Sequence, residues 1–273
     1  MLEHLLSAWP DIIQQLKNAR HILLLTDYDG TLTNITQRPE EANLPDEIRI
    51  LLRDLSLQNH LTVGVISGRE LTNLQNKVRV NDIIYAGNHG LEIAGPGVNF
   101  SNHQAEEMKP QLYTIQQILT EALGKIKGVL IENKGLSLSI HYRMVEQNDV
   151  KRIADTIDNT IKNIDASGKI KVSVGKKVYE IKPDVDWNKG KAIKLIMGKY
   201  GRDGIKNVIL PIYLGDDTTD EDGFNIIDNY QYGISVFVGE AKHNSTARYY
   251  LKSPAEVAVF LNMLLEQARR GFK

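Results

Sequence analysis

The sequence predicts an α/β protein, a parallel sheet whose chain is interrupted by an inserted α+β unit. Three observations predict it. Short apolar runs at 22–25, 61–66 and 208–214 are each followed at once by polar or acidic residues. Such runs are strands buried on both faces, as in a parallel sheet, with ligand groups outside their carboxyl ends. Helical periodicity fills the chain around them. Between 109 and 187 the texture changes to two period-two hairpins alternating with two amphipathic helices. Two helices on an antiparallel sheet do not belong to a parallel alternation. The expected organisation is therefore a core of 1–108 and 188–273, with 109–187 as the insert.

Composition narrows the function classes. The 273 residues suffice for a sizeable core. A net charge of −1 gives no surface for a polyanion, so no nucleic-acid partner is expected. The absence of cysteine excludes disulfides and thiolate metal sites and fits a reducing compartment. No window of about 18 apolar residues exists, so no membrane span is expected. The first twenty residues lack a basic start followed by a long apolar run, and a cytoplasmic protein is expected.

In chain order, residues 2–19 carry a helical apolar pattern, with Pro10 interrupting or restarting it. Strand 21–26 ends in Asp27-Tyr28-Asp29-Gly30-Thr31. Side chains two apart on an extended segment point the same way, so both carboxylates can face one site, and Gly30 lets the chain turn away. An acidic turn would have the same composition, but charges at a buried strand's end are costly without a cation or chemistry. Pro45-Asp46-Glu47 opens a helix to about 59. Strand 61–66 ends in Ser67-Gly68-Arg69, where a hydroxyl and free amides at a strand-to-helix junction can hold a phosphate. Strand 82–86 leads to Gly87-Asn88-His89-Gly90.

In the insert, helices are expected at 111–127 and 148–164, and hairpins at 129–143 and 169–182, the second turning at Gly175-Lys176. The chain returns to the core with Asn188-Lys189-Gly190-Lys191, two lysines at a helix start that oppose its dipole unless an anion is near. Strand 208–214 ends in Gly215-Asp216-Asp217-Thr218-Thr219-Asp220-Glu221-Asp222. Five carboxylates within seven residues there mark a cation site. A last core strand at 233–238 precedes a helix opened by Ser253-Pro254.

Asp27 and Asp29, Ser67, Lys189, and Asp216 with Asp217 thus fall at strand ends in the order of the four motifs of the haloacid dehalogenase-like (HAD) phosphatases, which the chain resembles. It is similar along nearly its whole length to the trehalose-6-phosphate phosphatase family of that superfamily. The resemblance is carried by TDYDGTL at 26–32, ISGR at 66–69, GNHG at 87–90, SLSIHYR at 137–143, YEIKP at 179–183, NKGKA at 188–192 and GDDTTDED at 215–222. It implies a Rossmann-like HAD core with an αββαββ cap, and Mg2+-dependent hydrolysis of a sugar phosphate through an aspartyl-phosphate. It implies Asp27 as nucleophile and Asp29 as general acid/base. Asp27, Asp29, Asp216 and Asp217 would lie around the metal, the Asp29 position through its backbone carbonyl. Ser67, Gly68 and Lys189 would hold the phosphoryl group. Glu132, Lys134 and Glu180 would contact sugar hydroxyls, and Arg69, Asn88, His89, His141 and Arg143 would line the same cleft.

The catalytic set does not choose the leaving group, because the cap does. Mannosyl-3-phosphoglycerate, glucosyl-phosphoglycerate and sucrose 6-phosphate remain alternatives to trehalose 6-phosphate at this point. So do a phosphomutase and a non-catalytic sugar-phosphate sensor, although a sensor has no use for Asp29. A monomer is expected, with a trehalose-6-phosphate synthase as a candidate partner.

Overall fold

The structure, a computed structural model, describes residues 2–165, 167–175, 177–200, 209–230, 232–240 and 244–271. The chain divides into two compact units, Met1–Phe100 with Trp187–Lys273, and Ser101–Asp186. The sequence reading drew the insert at 109–187. Residues 101–108 join the second unit, where Met108 packs into that unit's apolar cluster.

The first unit begins with β1 (Glu3–His4), α1 (Trp9–Asn18), β2 (His21–Thr26), α2 (Asp46–Ser56), β3 (Leu61–Ile66), α3 (Leu71–Val78), β4 (Ile84–Gly87), β5 (Glu92–Gly95) and β6 (Val98–Ser101). The second unit holds α4 (His103–Glu106), α5 (Lys109–Leu123), β7 (Leu130–Asn133), β8 (Leu138–His141), α6 (Gln147–Ile164), β9 (Ile170–Gly175) and β10 (Val178–Pro183). The chain then returns with α7 (Lys189–Tyr200), β11 (Ile209–Gly215), α8 (Glu221–Asp228), β12 (Ile234–Val238), β13 (Tyr249–Leu251) and α9 (Pro254–Arg270).

The large sheet has nine strands in the order β1-β13-β12-β11-β2-β3-β4-β5-β6. β2 lies at its centre and pairs in parallel with β11 and β3. Alternation along β2 explains its unbroken apolar run. Ile22 and Leu24 enter one cluster with Leu52, Val63 and Phe260, while Leu23 and Leu25 enter the opposite one with Ile193, Tyr213 and Phe224. Strand order reverses at β2, since β3 and β4 lie on one side and β11 and β12 on the other. That switch is where open α/β sheets bind ligands.

The second unit is a four-stranded sheet, β7-β8-β10-β9, antiparallel throughout. α5 and α6 bury Leu112, Ile115, Leu119, Ile153 and Ile157 against Leu138, Ile140 and Ile181. Glu132, Ser139, Glu180 and Ser173 are opposite one another across the strands, so they share the face away from those core side chains.

Local departures from the sequence reading have physical reasons. The helix expected at 2–19 begins only at Trp9, with Pro10 in its first turn, where its missing N–H costs nothing. Ahead of it, β1 pairs with β13. The strand expected at 82–86 begins at Ile84, because Asp82 adopts φ 59°. Lys176 and Val208 lie outside the described residues. Among the described residues no helix is long and apolar enough to cross a membrane.

Asp165 ties the end of α6 to β9. Its carboxylate accepts from the Ile170 N–H (2.6 Å) and the Ser167 hydroxyl (2.8 Å). Burial works against the ion, but these bonds and the Lys169 N–H outweigh it and hold the carboxyl below its ordinary value. Its stabilising contribution is therefore present above the ordinary aspartate value of about 3.9 and is lost as pH falls through the lower folded value. Asp165→Ala should cost about 1–2 kcal/mol by urea denaturation at pH 7, and the difference from wild type should shrink in acid. A difference independent of pH would remove the charge from this account.

Candidate active site

The carboxyl ends of β2, β3 and β11 lie side by side, and each delivers functional groups. Asp27 follows β2 directly and keeps its strand pairing, its N–H donating to the Leu214 carbonyl at 2.8 Å. Ser67 follows β3, and Asp216 follows β11. Lys189 is the first residue of α7. Its Nζ bridges Asp27 Oδ1 at 2.7 Å and Asp220 Oδ1 at 2.6 Å. Lys189, Asp27 and Asp220 are 3%, 5% and 0% exposed, so bulk water screens these charges little. The Tyr213 hydroxyl also donates to Asp220 Oδ1, and the N–H groups of Asp216 and Asp217 donate to Asp220 Oδ2.

The electrostatics of this cluster are unbalanced. Burial pushes the Asp27 carboxyl well up; Lys189 opposes this, while Asp220 and Asp216 add to it. Burial works against the Lys189 charge, yet Asp220 and Asp27 outweigh it and hold the ammonium protonated. Burial, then Asp220, pushes the Tyr213 hydroxyl up, so it stays a donor. Oxygen atoms of Asp27, Asp216 and Asp220 come within 4.8 Å of one another. Three carboxylates with one ammonium among them form a hard-oxygen site that a divalent cation would balance. Gly30, at φ +89°, lies so close to Asp216 that any Cβ there would collide with the carboxylate, which explains the glycine.

Asp217, expected beside the metal, instead turns back to accept from the Thr218 N–H and hydroxyl, capping a short turn at 218–220. Asp220 takes the inward position. The acidic run does not show which carboxylate faces in; the turn decides it, and only the three-residue separation in D-T-T-D hinted at it. Tyr213 carries no sequence signal, since it reads as one more apolar residue of β11.

The Asp29 carboxylate lies outside the triad. Arg69, expected at the substrate, grips it with two bonds, Nε to Oδ2 at 2.7 Å and an Nη to Oδ1 at 2.6 Å. The same guanidinium donates to the Pro39 carbonyl and Asn73 and lies 5.1 Å from the Tyr28 ring centroid. Ser67 is buried and its Oγ accepts from the Arg69 N–H. Asn88 and His89 both have positive φ, 49° and 57°. Their N–H groups donate to the carbonyls of Arg69 and Ser67, strapping the 87–90 loop onto the end of β3. The His89 ring covers Gly68 closely enough that a Cβ on Gly68 would strike it.

The remaining expected residues belong to the second unit. On the sheet face opposite its apolar core His141 Nε2 meets Glu132 Oε2 at 3.0 Å, and Lys134 Nζ lies 3.6 Å from Glu180 Oε1. Arg143 follows β8 and is exposed. The structure thus pairs Glu132 with His141 and Lys134 with Glu180 in the second unit.

Residues 25–255 match the family model described as Trehalose-phosphatase. The chain is 32% identical to trehalose-phosphate phosphatase B of Arabidopsis thaliana, over 97% of this chain and 71% of that protein. It is 33% identical to trehalose 6-phosphate phosphatase RA3 of Zea mays, over 90% and 70%. The C-terminal domain of the Candida albicans trehalose-6-phosphate phosphatase superposes with a TM-score of 0.79 at 26% identity, covering 97% of this chain and 98% of that one. The C-terminal domain of a Candida albicans trehalose synthase regulatory protein has a TM-score of 0.70 at 16% identity, covering 96% and 99%, and shares the fold alone. With acidic residues at the ends of β2 and β11, an inserted antiparallel unit and a family match across most of its length, the chain belongs to the trehalose-phosphatase family.

Proposed function

We propose that this phosphatase hydrolyses trehalose 6-phosphate to trehalose and inorganic phosphate, with Mg2+, through an aspartyl-phosphate on Asp27. The observation that carries the reading is the buried Asp27 carboxylate held by Lys189 inside the Asp27–Asp216–Asp220 triad. A trehalose-6-phosphate synthase would supply the substrate.

Asp27 attacks phosphorus, and the bond from phosphorus to the sugar O6 breaks. Asp29 gives its proton to the departing oxygen and then takes one from the water that attacks the aspartyl-phosphate, releasing phosphate and restoring Asp27. Each Asp29 oxygen accepts one bond from Arg69, which holds the carboxylate in orientation and leaves a second lone pair on each oxygen for the proton. Ser67, the Gly68 amide and Lys189 bind the phosphoryl oxygens. Asp27, Asp216 and Asp220 would hold Mg2+, which would offset the repulsion between carboxylates and phosphate. Glu132, Lys134, His141, Arg143 and Glu180 read the sugar hydroxyls, the acids accepting and Lys134 and Arg143 donating. Asn88 and His89 hold the loop that covers Gly68.

The test is phosphate release from trehalose 6-phosphate, sucrose 6-phosphate, mannosyl-3-phosphoglycerate and glucose 6-phosphate, each with Mg2+ and with EDTA. Preference for trehalose 6-phosphate that EDTA abolishes and Mg2+ restores is expected. Preference for another substrate would overturn the sugar assignment, and binding without release would favour a sensor.

Asp27→Asn should reduce phosphate release by at least three orders of magnitude while leaving the circular dichroism spectrum unchanged, since its oxygen is lost as nucleophile. Residual turnover above that level would assign the attack elsewhere. Lys134→Ala should raise KM for trehalose 6-phosphate roughly tenfold, the scale of one charge-assisted hydrogen bond, and leave p-nitrophenyl phosphate turnover unchanged. Equal loss on both substrates would take Lys134 out of sugar recognition.

A further inference from the structure

The sheet face of the second unit opposite its apolar core contains a polar group that its own network does not use. In register across the strands, Ser139 of β8 stands between Glu132 of β7 and Glu180 of β10. Each neighbouring acid has a partner, His141 for Glu132 and Lys134 for Glu180. Ser139 itself is 1% exposed, and its Oγ is buried with no hydrogen-bonding partner among the described residues. An unpaired buried hydroxyl costs roughly 1–3 kcal/mol. The usual remedies are close at hand, since a carboxylate stands on either side, yet the hydroxyl turns to neither. A valine or alanine would fill the same strand position without that cost, because Leu138 and Ile140 on the opposite face already supply the core contacts.

We propose that Ser139 is a specificity residue, its hydroxyl binding a sugar hydroxyl of the substrate. The proposal rests on the sugar-phosphate reading of this face. The flanking carboxylates only accept, and Lys134 only donates. A serine hydroxyl does both, so a sugar hydroxyl donating to Glu132 or Glu180 can at the same time accept from Ser139. The neutral, doubly competent hydroxyl lets the row follow the donor–acceptor pattern of a polyol, which charged groups alone do not match. Specificity arises from the same cost, because a ligand lacking that hydroxyl leaves Ser139 unpaired.

The experiment compares wild type with Ser139→Ala in three measurements: KM and kcat for trehalose 6-phosphate, competitive inhibition by trehalose, and turnover of p-nitrophenyl phosphate, alongside the urea midpoint of each protein. The expected variant has KM and the trehalose inhibition constant both raised roughly 3- to 10-fold, the scale of one neutral hydrogen bond. Its p-nitrophenyl phosphate turnover is unchanged, and its urea midpoint is equal or higher, because the substitution removes an unpaired group. This combination of greater stability with weaker sugar binding is one that a structural serine would not give. Unchanged KM and inhibition constant, or equal losses on both substrates with a lowered midpoint, would overturn the proposal. If wild type itself fails on trehalose 6-phosphate, the functional reading falls and this proposal with it, whereas an active wild type with an indifferent variant defeats the proposal alone.

Discussion

The Lys189 ammonium between Asp27 and Asp220 is the interaction on which the first unit's site depends. It brings together the end of β2, the start of α7 and the turn after β11. A charge trio with almost no exposure is expensive to assemble, and a buried pair is not in itself a gain in stability. Its geometry is nonetheless over-determined. Asp220 Oδ2 is fixed by two backbone N–H groups and Oδ1 by Tyr213 as well as Lys189. Gly190 lets α7 approach the Asp222 carbonyl so closely that a Cβ would collide, which sets the lysine's height over the sheet. Asp220 therefore anchors Lys189, and Lys189 in turn holds Asp27 in place.

The same arrangement explains why the proposed mechanism includes a cation at the triad. One ammonium cannot neutralise Asp27, Asp216 and Asp220 together, and burial already favours the protonated form of Asp27. A protonated Asp27 is no nucleophile. Additional positive charge would favour the ionised carboxylate that attacks in the proposed mechanism, as Lys189 already does.

Much of this was legible in the sequence wherever one physical constraint dominated. β2, β3 and β11 announce themselves because strands buried on both faces must be apolar, and their ends because polar groups there need a purpose. The hairpins of the insert were legible from alternation, since one face meets α5 and α6 and the other does not. The short elements were not. β1, β5, β6 and β13 have two to four residues each with no alternating apolar run around them, and pairing rather than composition makes them strands. The choice of Asp220 over Asp217 was equally hidden, because it depends on a turn that points one acid inward and folds the other onto Thr218. Arg69 was read as a substrate contact because a sequence cannot show that Asp29 lies within its reach.

That last pairing constrains the mechanism more than the motif does. Arg69 is held from every side, by Pro39, Asn73 and the Tyr28 ring, and its own backbone supports Asn88. A guanidinium so fixed does not follow a moving partner, so any opening of the pair in the proposed mechanism moves Asp29. Asp29 has the freedom to do so, since its side chain is 40% exposed while that of Arg69 is 6% exposed. Gly30, which follows it at φ +89°, sets the direction in which the chain leaves. On the proposed mechanism the ion pair thus holds the acid/base group in orientation, and a rotation of Asp29 away from Arg69 would free a further lone pair for the proton. On that mechanism the Pro39 carbonyl and the Asn73 side chain would act on catalysis by fixing the arginine that holds Asp29.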